Sequence, residues 1–170
     1  FYNIPTKTDL RKKYNIPTDA YVIGSFQCDT LDDKVSPKLE KGPDILVNVM
    51  KDHTRIKQNV FILLTGRMRQ YVIDKLDSFG IRYLYMEMVD VTTLNELYNC
   101  LDLYIVSSKV EGGPRAIMEC AITKTPIIST NVGISEYILC QDSIYNMNDY
   151  ITYKKAIPNI KTKWQHQRES

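Results

Sequence analysis

The sequence predicts a doubly wound α/β fold, in which helices cover both faces of one parallel β-sheet. Two observations support this prediction: short apolar segments alternate with helical patterns along most of the chain, and glycines and prolines separate many of them. The length of 170 residues suits a single domain with a full-sized hydrophobic core.

Six segments have the composition expected of short strands that are buried within a sheet. They are 21–26, 60–64, 82–86, 103–106, 126–129 and 143–145. Between them, apolar residues recur at helical spacing, as in 45–50, 71–79 and 94–101. Gly42-Pro43 precedes the first of these helices and Gly80 ends the second, as is typical of helix boundaries. A further helix is predicted to begin at Pro114.

This alternation predicts a Rossmann-like sheet, for which we expect the strand order 3-2-1-4-5-6. Open sheets of this type bind ligands beyond the carboxyl ends of their strands, where the strand order reverses. That point lies between the first and fourth strands, at loops 27–41 and 107–113. We expect residues 1–149 to form this Rossmann-like, ligand-binding domain and 150–170 to form a polar, basic tail.

Composition and charge exclude several classes of function. A net charge of +2 is too small to indicate nucleic-acid binding or electrostatic attachment to a membrane. No apolar run is long enough for a transmembrane helix. The four cysteines are far apart and form no C-x-x-C motif, so we expect reduced thiols and a cytoplasmic location. With only two histidines, a histidine-rich metal site is not expected.

The segment 111–119 has the composition of an anion-binding helix start. Gly112 and Gly113 allow the backbone to approach a ligand closely, and Pro114 fits the first helical position. The free N–H groups of residues 115–117 would then point out of the helix, where the helix dipole also favours negative charge. This arrangement suits a diphosphate.

Two glutamates flank that helix start. Glu111, at the end of the fourth strand, can accept hydrogen bonds from sugar hydroxyls, and Glu119 can accept them from a ribose. The alternative is that Glu111 belongs to an ordinary turn and Glu119 is a solvated helix residue. The predicted location where the strand order reverses favours the binding interpretation.

The segment 111–119 resembles the E-x7-E motif of retaining glycosyltransferases of the GT-B fold, family 4, also called group 1. Three further blocks resemble that family in the expected order: 41–44 (KGPD), 94–108 (LNELYNCLDLYIVSS) and 126–136 (PIISTNVGISE). The resemblance covers roughly residues 9–146 and implies the C-terminal, donor-binding domain of such an enzyme.

The resemblance also implies roles for individual residues. Glu111 would hold hydroxyls of the donor sugar, and Glu119 would hold the ribose of the nucleotide. The backbone of Arg115 and Ala116 would bind the diphosphate. Lys41 would neutralise the charge that develops on the leaving diphosphate.

Further residues and partners follow from the same resemblance. The loop 88–91, which includes Val89, would hold the base through backbone groups, and Gly133 would keep its loop close to the site. The donor would be a nucleoside diphosphate sugar, and neither a metal nor another cofactor is expected. An N-terminal domain that is missing from this chain would bind a glycan, lipid or glycoconjugate acceptor. Peripheral membrane association of the full protein is compatible with such an acceptor.

The chain departs from the family pattern at several positions. An arginine usually follows the first strand, whereas this chain has Gln27. Either Lys38 or Lys34 replaces that charge, or Gln27 contacts the ligand as a neutral donor. Arg115 stands where the family usually has an uncharged residue, and it would contact either a phosphate or a protein carboxylate. Ile134 replaces a second glycine.

Charged residues elsewhere are predicted to be solvated rather than functional. This group comprises Arg67, Arg69, Asp29, Asp32 and Asp33. Two other functions remain open beside sugar transfer from a nucleotide sugar. The domain could serve as a non-catalytic nucleotide-binding or assembly module of the same fold, or it could belong to a sugar-nucleotide epimerase.

Overall fold

The computed structural model describes residues 1–33 and 35–146, and in this part of the chain six strands alternate with helices. The strands are β1 Tyr21–Phe26, β2 Val60–Thr65, β3 Tyr83–Met86, β4 Leu103–Val106, β5 Ile127–Thr130 and β6 Ile144–Tyr145. The helices are α1 Lys7–Lys13, α2 Pro43–Ile56, α3 Gln70–Ser78, α4 Val91–Asn99, α5 Arg115–Thr123 and α6 Ser135–Ile138.

All six strands are parallel and follow the order β3-β2-β1-β4-β5-β6, which confirms the predicted fold and strand order. β1 pairs with both β2 and β4, so the chain reverses its direction of travel across the sheet at β1. The two short helices α1 and α6 were not predicted.

Alternating residues of the strands supply two separate cores, one on each face of the sheet. On one face Val22, Leu63 and Val106 pack with residues of α1, α4 and α5. On the other face Ile23 and Ile62 pack with residues of α2 and α3. This two-sided burial explains why the strands are apolar at nearly every position.

α1 is fixed to the sheet by a largely buried ion pair. Arg11 Nη2 lies 2.7 Å from Asp102 Oδ2, and the same guanidinium donates twice to the carbonyl of Cys100. Asp102 Oδ2 also accepts the N–H of Val22, at 2.9 Å. Burial alone would raise the pKa of Asp102, but the Val22 N–H and the Arg11 guanidinium outweigh it and hold that pKa below 3.8.

The prediction that Arg69 and Asp29 are solvated was wrong. Their side chains are fully buried and form an ion pair, and Arg69 also donates to the Thr65 carbonyl at 2.9 Å and to Ser25 Oγ at 3.1 Å. Burial raises the pKa of Asp29, and Arg69 partly opposes that shift. The pair ties the loop after β1 to the loop after β2, where the N–H of Asp29 and Thr30 donate to the Met68 carbonyl. Arg67 is exposed, as predicted.

In the described part of the chain, no helix has the length and apolar character needed to cross a membrane. The four cysteines are free thiols, and Cys100 and Cys120 are buried. The predicted basic tail 150–170 and Lys34 lie outside the described residues.

Candidate functional site

A cavity of about 500 Å³ lies at the carboxyl ends of β1 and β4, which is the location that the strand order predicts for a ligand. Its lining combines aromatic, charged and backbone groups from β1, β4, α4 and α5. The lining residues are Phe26, Gln27, Cys28, Lys41, Leu94, Tyr98, Tyr104, Val106, Glu111, Gly113, Pro114, Arg115, Ala116 and Glu119.

Lys41 and Glu111 form an ion pair at this cavity, with Lys41 Nζ 3.2 Å from Glu111 Oε1. About a quarter of each side chain is exposed, so a ligand can reach both. Lys41 is held close to the end of β4 because the next residue, Gly42, packs against the backbone of Ser107. Gly42 has a φ of +58. A Cβ at position 42 would lie 2.0 Å from the Ser107 carbonyl oxygen, so only glycine permits this approach.

Gln27 lines the cavity, but its amide nitrogen is bonded to the protein. Its Nε2 donates to the Lys41 carbonyl at 3.1 Å and to Ser107 Oγ at 3.3 Å, and Ser107 Oγ donates to the same carbonyl at 3.0 Å. Gln27 therefore acts as a neutral cross-link between the loops after β1 and β4. Lys38 does not line the cavity, and its Nζ lies 3.8 Å from Glu40 Oε1.

The helix start at α5 differs in two details from the prediction. Arg115, not Pro114, is the first helical residue, and Pro114 is the N-cap with φ −65 and ψ 115. The N–H of Ile117 is not free, because it donates to the Pro114 carbonyl at 3.0 Å. Within residues 1–33 and 35–146, the N–H groups of Arg115 and Ala116 have no acceptor, and both residues line the cavity.

The side chain of Arg115 is exposed and makes no ion pair with any residue of the described ranges. The protein carboxylate of the second interpretation of Arg115 is therefore not found among the residues that the structure describes. Among the described residues, the lining has two cationic side chains, Lys41 and Arg115, and two carboxylates, Glu111 and Glu119. The cavity thus presents both cations for phosphates and acceptors for hydroxyls.

Glu119 is half-buried and bonded to a tyrosine of the helical pattern 94–101. The hydroxyl of Tyr98 donates to Glu119 Oε2 at 2.6 Å. Tyr98 belongs to the apolar stripe of α4, and that spacing gave no sign that its hydroxyl would face the cavity. The quoted block 94–108 contains this tyrosine, so the family resemblance was the available signal.

Three more predicted site residues, Gly112, Gly133 and Val89, are not part of the cavity lining. Gly133 has φ +53, and a Cβ there would lie 2.5 Å from the Gly112 carbonyl oxygen. The loop after β5 therefore packs tightly on the loop before α5. Val89 is half-buried against the core on the α4 side, in the loop between β3 and α4.

A second cavity, of about 550 Å³, lies near the amino-terminal ends of β2 and β3, at the other end of the strands. Its lining includes Arg55, Lys57 and Arg82, and three cationic side chains favour the binding of an anion. However, it is bordered by the carboxyl-terminal end of α2, where the helix dipole disfavours negative charge. In the described part of the chain, no three His, Cys, Asp or Glu side chains are grouped as a metal site.

The family described as "Glycosyl transferases group 1" matches residues 35–158, which is more than half of the chain. This chain belongs to that family. The match includes Lys41, the helix start at α5 and both glutamates of the cavity. The comparison with curated proteins found no match.

Solved structures share the fold at low sequence identity. The C-terminal domain of the group 1 protein LpcC from Francisella tularensis has a TM-score of 0.66 and 16% identity, over 84% of this chain and 73% of that one. Sucrose-phosphate synthase from Thermosynechococcus elongatus has a TM-score of 0.67 and 21% identity, over 92% of this chain and 39% of that one.

A third solved structure is HepE from Anabaena in complex with UDP-glucose, with a TM-score of 0.60 and 17% identity. The alignment covers 84% of this chain and 38% of HepE. The chain therefore spans about two fifths of the two longer proteins and most of the isolated LpcC domain. Its fold is that of the C-terminal domain of GT-B glycosyltransferases.

Proposed function

We propose that this domain binds the nucleoside diphosphate sugar donor of a retaining glycosyltransferase. One observation carries the proposal: a cation, a helix start with unpaired amides and two carboxylates line a single cavity where the strand order reverses. Diphosphate, sugar hydroxyls and ribose hydroxyls are the groups that such a set would recognise. Family membership and the UDP-glucose in HepE support the same ligand class.

A bound donor can replace the Lys41–Glu111 ion pair with two contacts of its own, because its diphosphate can bind Lys41 and its sugar hydroxyls can bind Glu111. When a diphosphate approaches, Lys41 can exchange the carboxylate for phosphate oxygens, to which it donates charge-assisted hydrogen bonds. Glu111 is then free to accept from hydroxyls of the donor sugar. During transfer, the positive charge of Lys41 would stabilise the negative charge that develops on the leaving diphosphate.

The amides of Arg115 and Ala116 would bind the diphosphate from the other side of the cavity, together with the dipole of α5. Since Gln27 supplies no charge, we assign the second phosphate cation to the side chain of Arg115. Glu119 would accept from the ribose, and the loop that contains Val89 would hold the base. No metal is required in this scheme, because side-chain cations and the helix start bind the phosphates.

Calorimetric titration of the chain with UDP, GDP and ADP tests this proposal. We expect a millimolar or tighter dissociation constant for at least one of them, and binding that is at least tenfold weaker but still measurable in Glu119→Ala. Glu136→Ala, at an exposed glutamate of α6 outside the cavity, is the control and should bind as the wild type does. A folded wild-type chain that binds none of the three nucleotides would contradict the proposal.

One observation favours a second candidate, a non-catalytic nucleotide-binding or assembly module. Gln27 uses its amide to cross-link two loops and provides no charge to a leaving diphosphate. Transfer and donor hydrolysis assays on the longer protein would separate the two functions, since a module of this kind would show neither reaction. An epimerase would instead convert the donor sugar without an acceptor, which product analysis would reveal.

The acceptor and the location are part of the proposal. We place a glycan, lipid or glycoconjugate acceptor on an N-terminal domain outside this chain, because the cavity opens at the edge of the sheet and the chain spans 38% of HepE. The free cysteines are compatible with the cytoplasm, where thiols stay reduced.

A further inference from the structure

We propose that Tyr98 is a positioning residue, which orients the carboxylate of Glu119 toward the ribose of the donor. This inference rests on the function proposed above and adds a residue to it. The hydroxyl of Tyr98 donates to Glu119 Oε2 at 2.6 Å, and both residues line the cavity. Tyr98 acts through Glu119 and need not touch the ligand itself.

The hydrogen bond leaves most of the acceptor capacity of Glu119 available. A carboxylate has two oxygens with about four lone-pair directions, and Tyr98 occupies one of them. With Oε2 held, Glu119 Oε1 has a defined direction in which it can accept from vicinal hydroxyls. A glutamate without such a partner would sample several rotamers, and ordering it on binding would cost affinity.

The ring of Tyr98 is itself immobile, which makes it a suitable anchor. It is 1% exposed and packs edge-on against Phe26, with ring centres 4.8 Å apart, and against Phe1, at 5.9 Å. The ring of Tyr104 also packs against it, with ring centres 5.3 Å apart. Burial raises the pKa of Tyr98 well above 10, so its hydroxyl remains a donor throughout the physiological pH range.

The N-terminal segment holds the helix that carries Tyr98. The N–H of Tyr2 donates to Asn95 Oδ1 at 2.8 Å, and the N–H of Ile4 donates to Asn99 Oδ1 at 2.7 Å. Both asparagines are buried residues of α4, on either side of Tyr98 in the sequence. The segment therefore fixes α4 and covers one edge of the Tyr98 ring with Phe1.

The chain offers a matched test of this inference. Tyr98→Phe removes only the hydroxyl and retains the ring and its packing. Tyr14→Phe removes a similar tyrosine–glutamate hydrogen bond, to Glu96 of the same helix, but outside the cavity. UDP and 2′-deoxy-UDP are titrated calorimetrically into the wild type, both variants, Glu119→Ala and the double variant Tyr98→Phe/Glu119→Ala.

We expect Tyr98→Phe to weaken UDP binding about tenfold and to reduce the preference for UDP over 2′-deoxy-UDP, while Tyr14→Phe changes neither. In the Glu119→Ala background, Tyr98→Phe should have no further effect, because the group that it positions is absent. An effect of equal size in both backgrounds, or unchanged UDP affinity in Tyr98→Phe, would overturn the inference.

The same titrations distinguish a failure of the proposed function from a failure of the positioning role of Tyr98. If Glu119→Ala binds UDP at least tenfold more weakly than the wild type, but Tyr98→Phe binds as the wild type does, the proposed function stands and the positioning role fails. If the wild type and Glu119→Ala bind UDP equally, the ribose role of Glu119 fails, and the role of Tyr98 fails with it.

Discussion

Arg115 is the cationic side chain of the cavity that is free of a protein carboxylate within residues 1–33 and 35–146, whereas Lys41 is paired with Glu111. We expect Arg115→Ala to weaken UDP binding about five- to tenfold, because one charge-assisted contact with the diphosphate is lost. Arg115→Lys should restore part of the affinity, since it keeps the charge but not the forked geometry.

The control for Arg115 is Arg67→Ala, at an exposed arginine that follows β2 outside the cavity. Calorimetry in low and high salt measures both variants, and the affinity of Arg115→Ala should depend less on salt than that of the wild type. Equal effects of the two substitutions would show that Arg115 contributes only to the general charge of the domain.

The buried ion pair between Arg11 and Asp102 is expected to stabilise the fold. Asp102→Asn is expected to lower the free energy of unfolding by about 2–4 kcal/mol near neutral pH, because Arg11 is left as a buried, unpaired charge. The folded-state pKa of Asp102 lies below its ordinary value of 3.8. The stabilisation is therefore present above that value and is lost as the pH falls through the lower, folded-state pKa.

Urea unfolding at neutral pH and at a pH below 3.8 checks the Asp102 prediction. The difference between the wild type and Asp102→Asn should shrink at the acidic pH, whereas Asp32→Asn, at an exposed loop residue, should change little at either pH. A difference that stays constant with pH would show that the carboxylate charge of Asp102 is not the source of the stability.

Arg69 and Asp29 are buried although the sequence predicts them to face water. That prediction was made because charged residues at a helix start or in a polar loop are usually solvated. They lie 40 positions apart, and only the fold brings them together as a buried pair. The contact of Tyr98 with Glu119 was missed for a similar reason: helical spacing indicates which side of a helix is buried, but not where the hydroxyl of a buried tyrosine points.

Loops are the elements that assemble the site, and glycine determines how closely they pack. Gly133→Ala should reduce UDP affinity and lower the free energy of unfolding by more than about 1 kcal/mol. Two terms add: the backbone strain of a left-handed residue at φ +53, and a clash with the Gly112 carbonyl, which a Cβ would approach to 2.5 Å.

Gly80→Ala is the matched control for Gly133→Ala. Gly80 has a similar φ of +63, but a Cβ there would have no neighbour within 4 Å. It should show the strain alone, about 1 kcal/mol, with unchanged UDP affinity. Urea unfolding and calorimetry of both variants decide this, and equal losses in both would mean that the contact with Gly112 does not shape the site.

Elements were more predictable than the loops between them. Strand and helix identity follows from local periodicity, so β1 and β4 were predicted with the observed bounds. The short helices α1 and α6 were missed, because seven- and four-residue helices hold too few turns to show a period. The helix start at α5 was misplaced by one residue, since Pro114 is compatible with the N-cap as well as with the first turn.

At the scale of the molecule, this chain is expected to bind a donor without transferring its sugar efficiently. It spans 38% of HepE, and the proposed acceptor domain lies outside it. A transfer assay with UDP-glucose and the isolated chain should give no glycoside product, although UDP binds. Rapid transfer to a soluble acceptor by this chain alone would contradict the division into donor and acceptor domains.

We propose that the cavity between β1 and β4, not another surface, binds the nucleoside diphosphate. Backbone amide NMR of the labelled chain during a UDP titration shows which residues the nucleotide contacts. We predict the largest shift changes at Arg115 and Ala116, with little change at residues 54–60 of the opposite cavity. Shift changes that concentrate at residues 54–60 and leave the start of α5 unaffected would contradict the account.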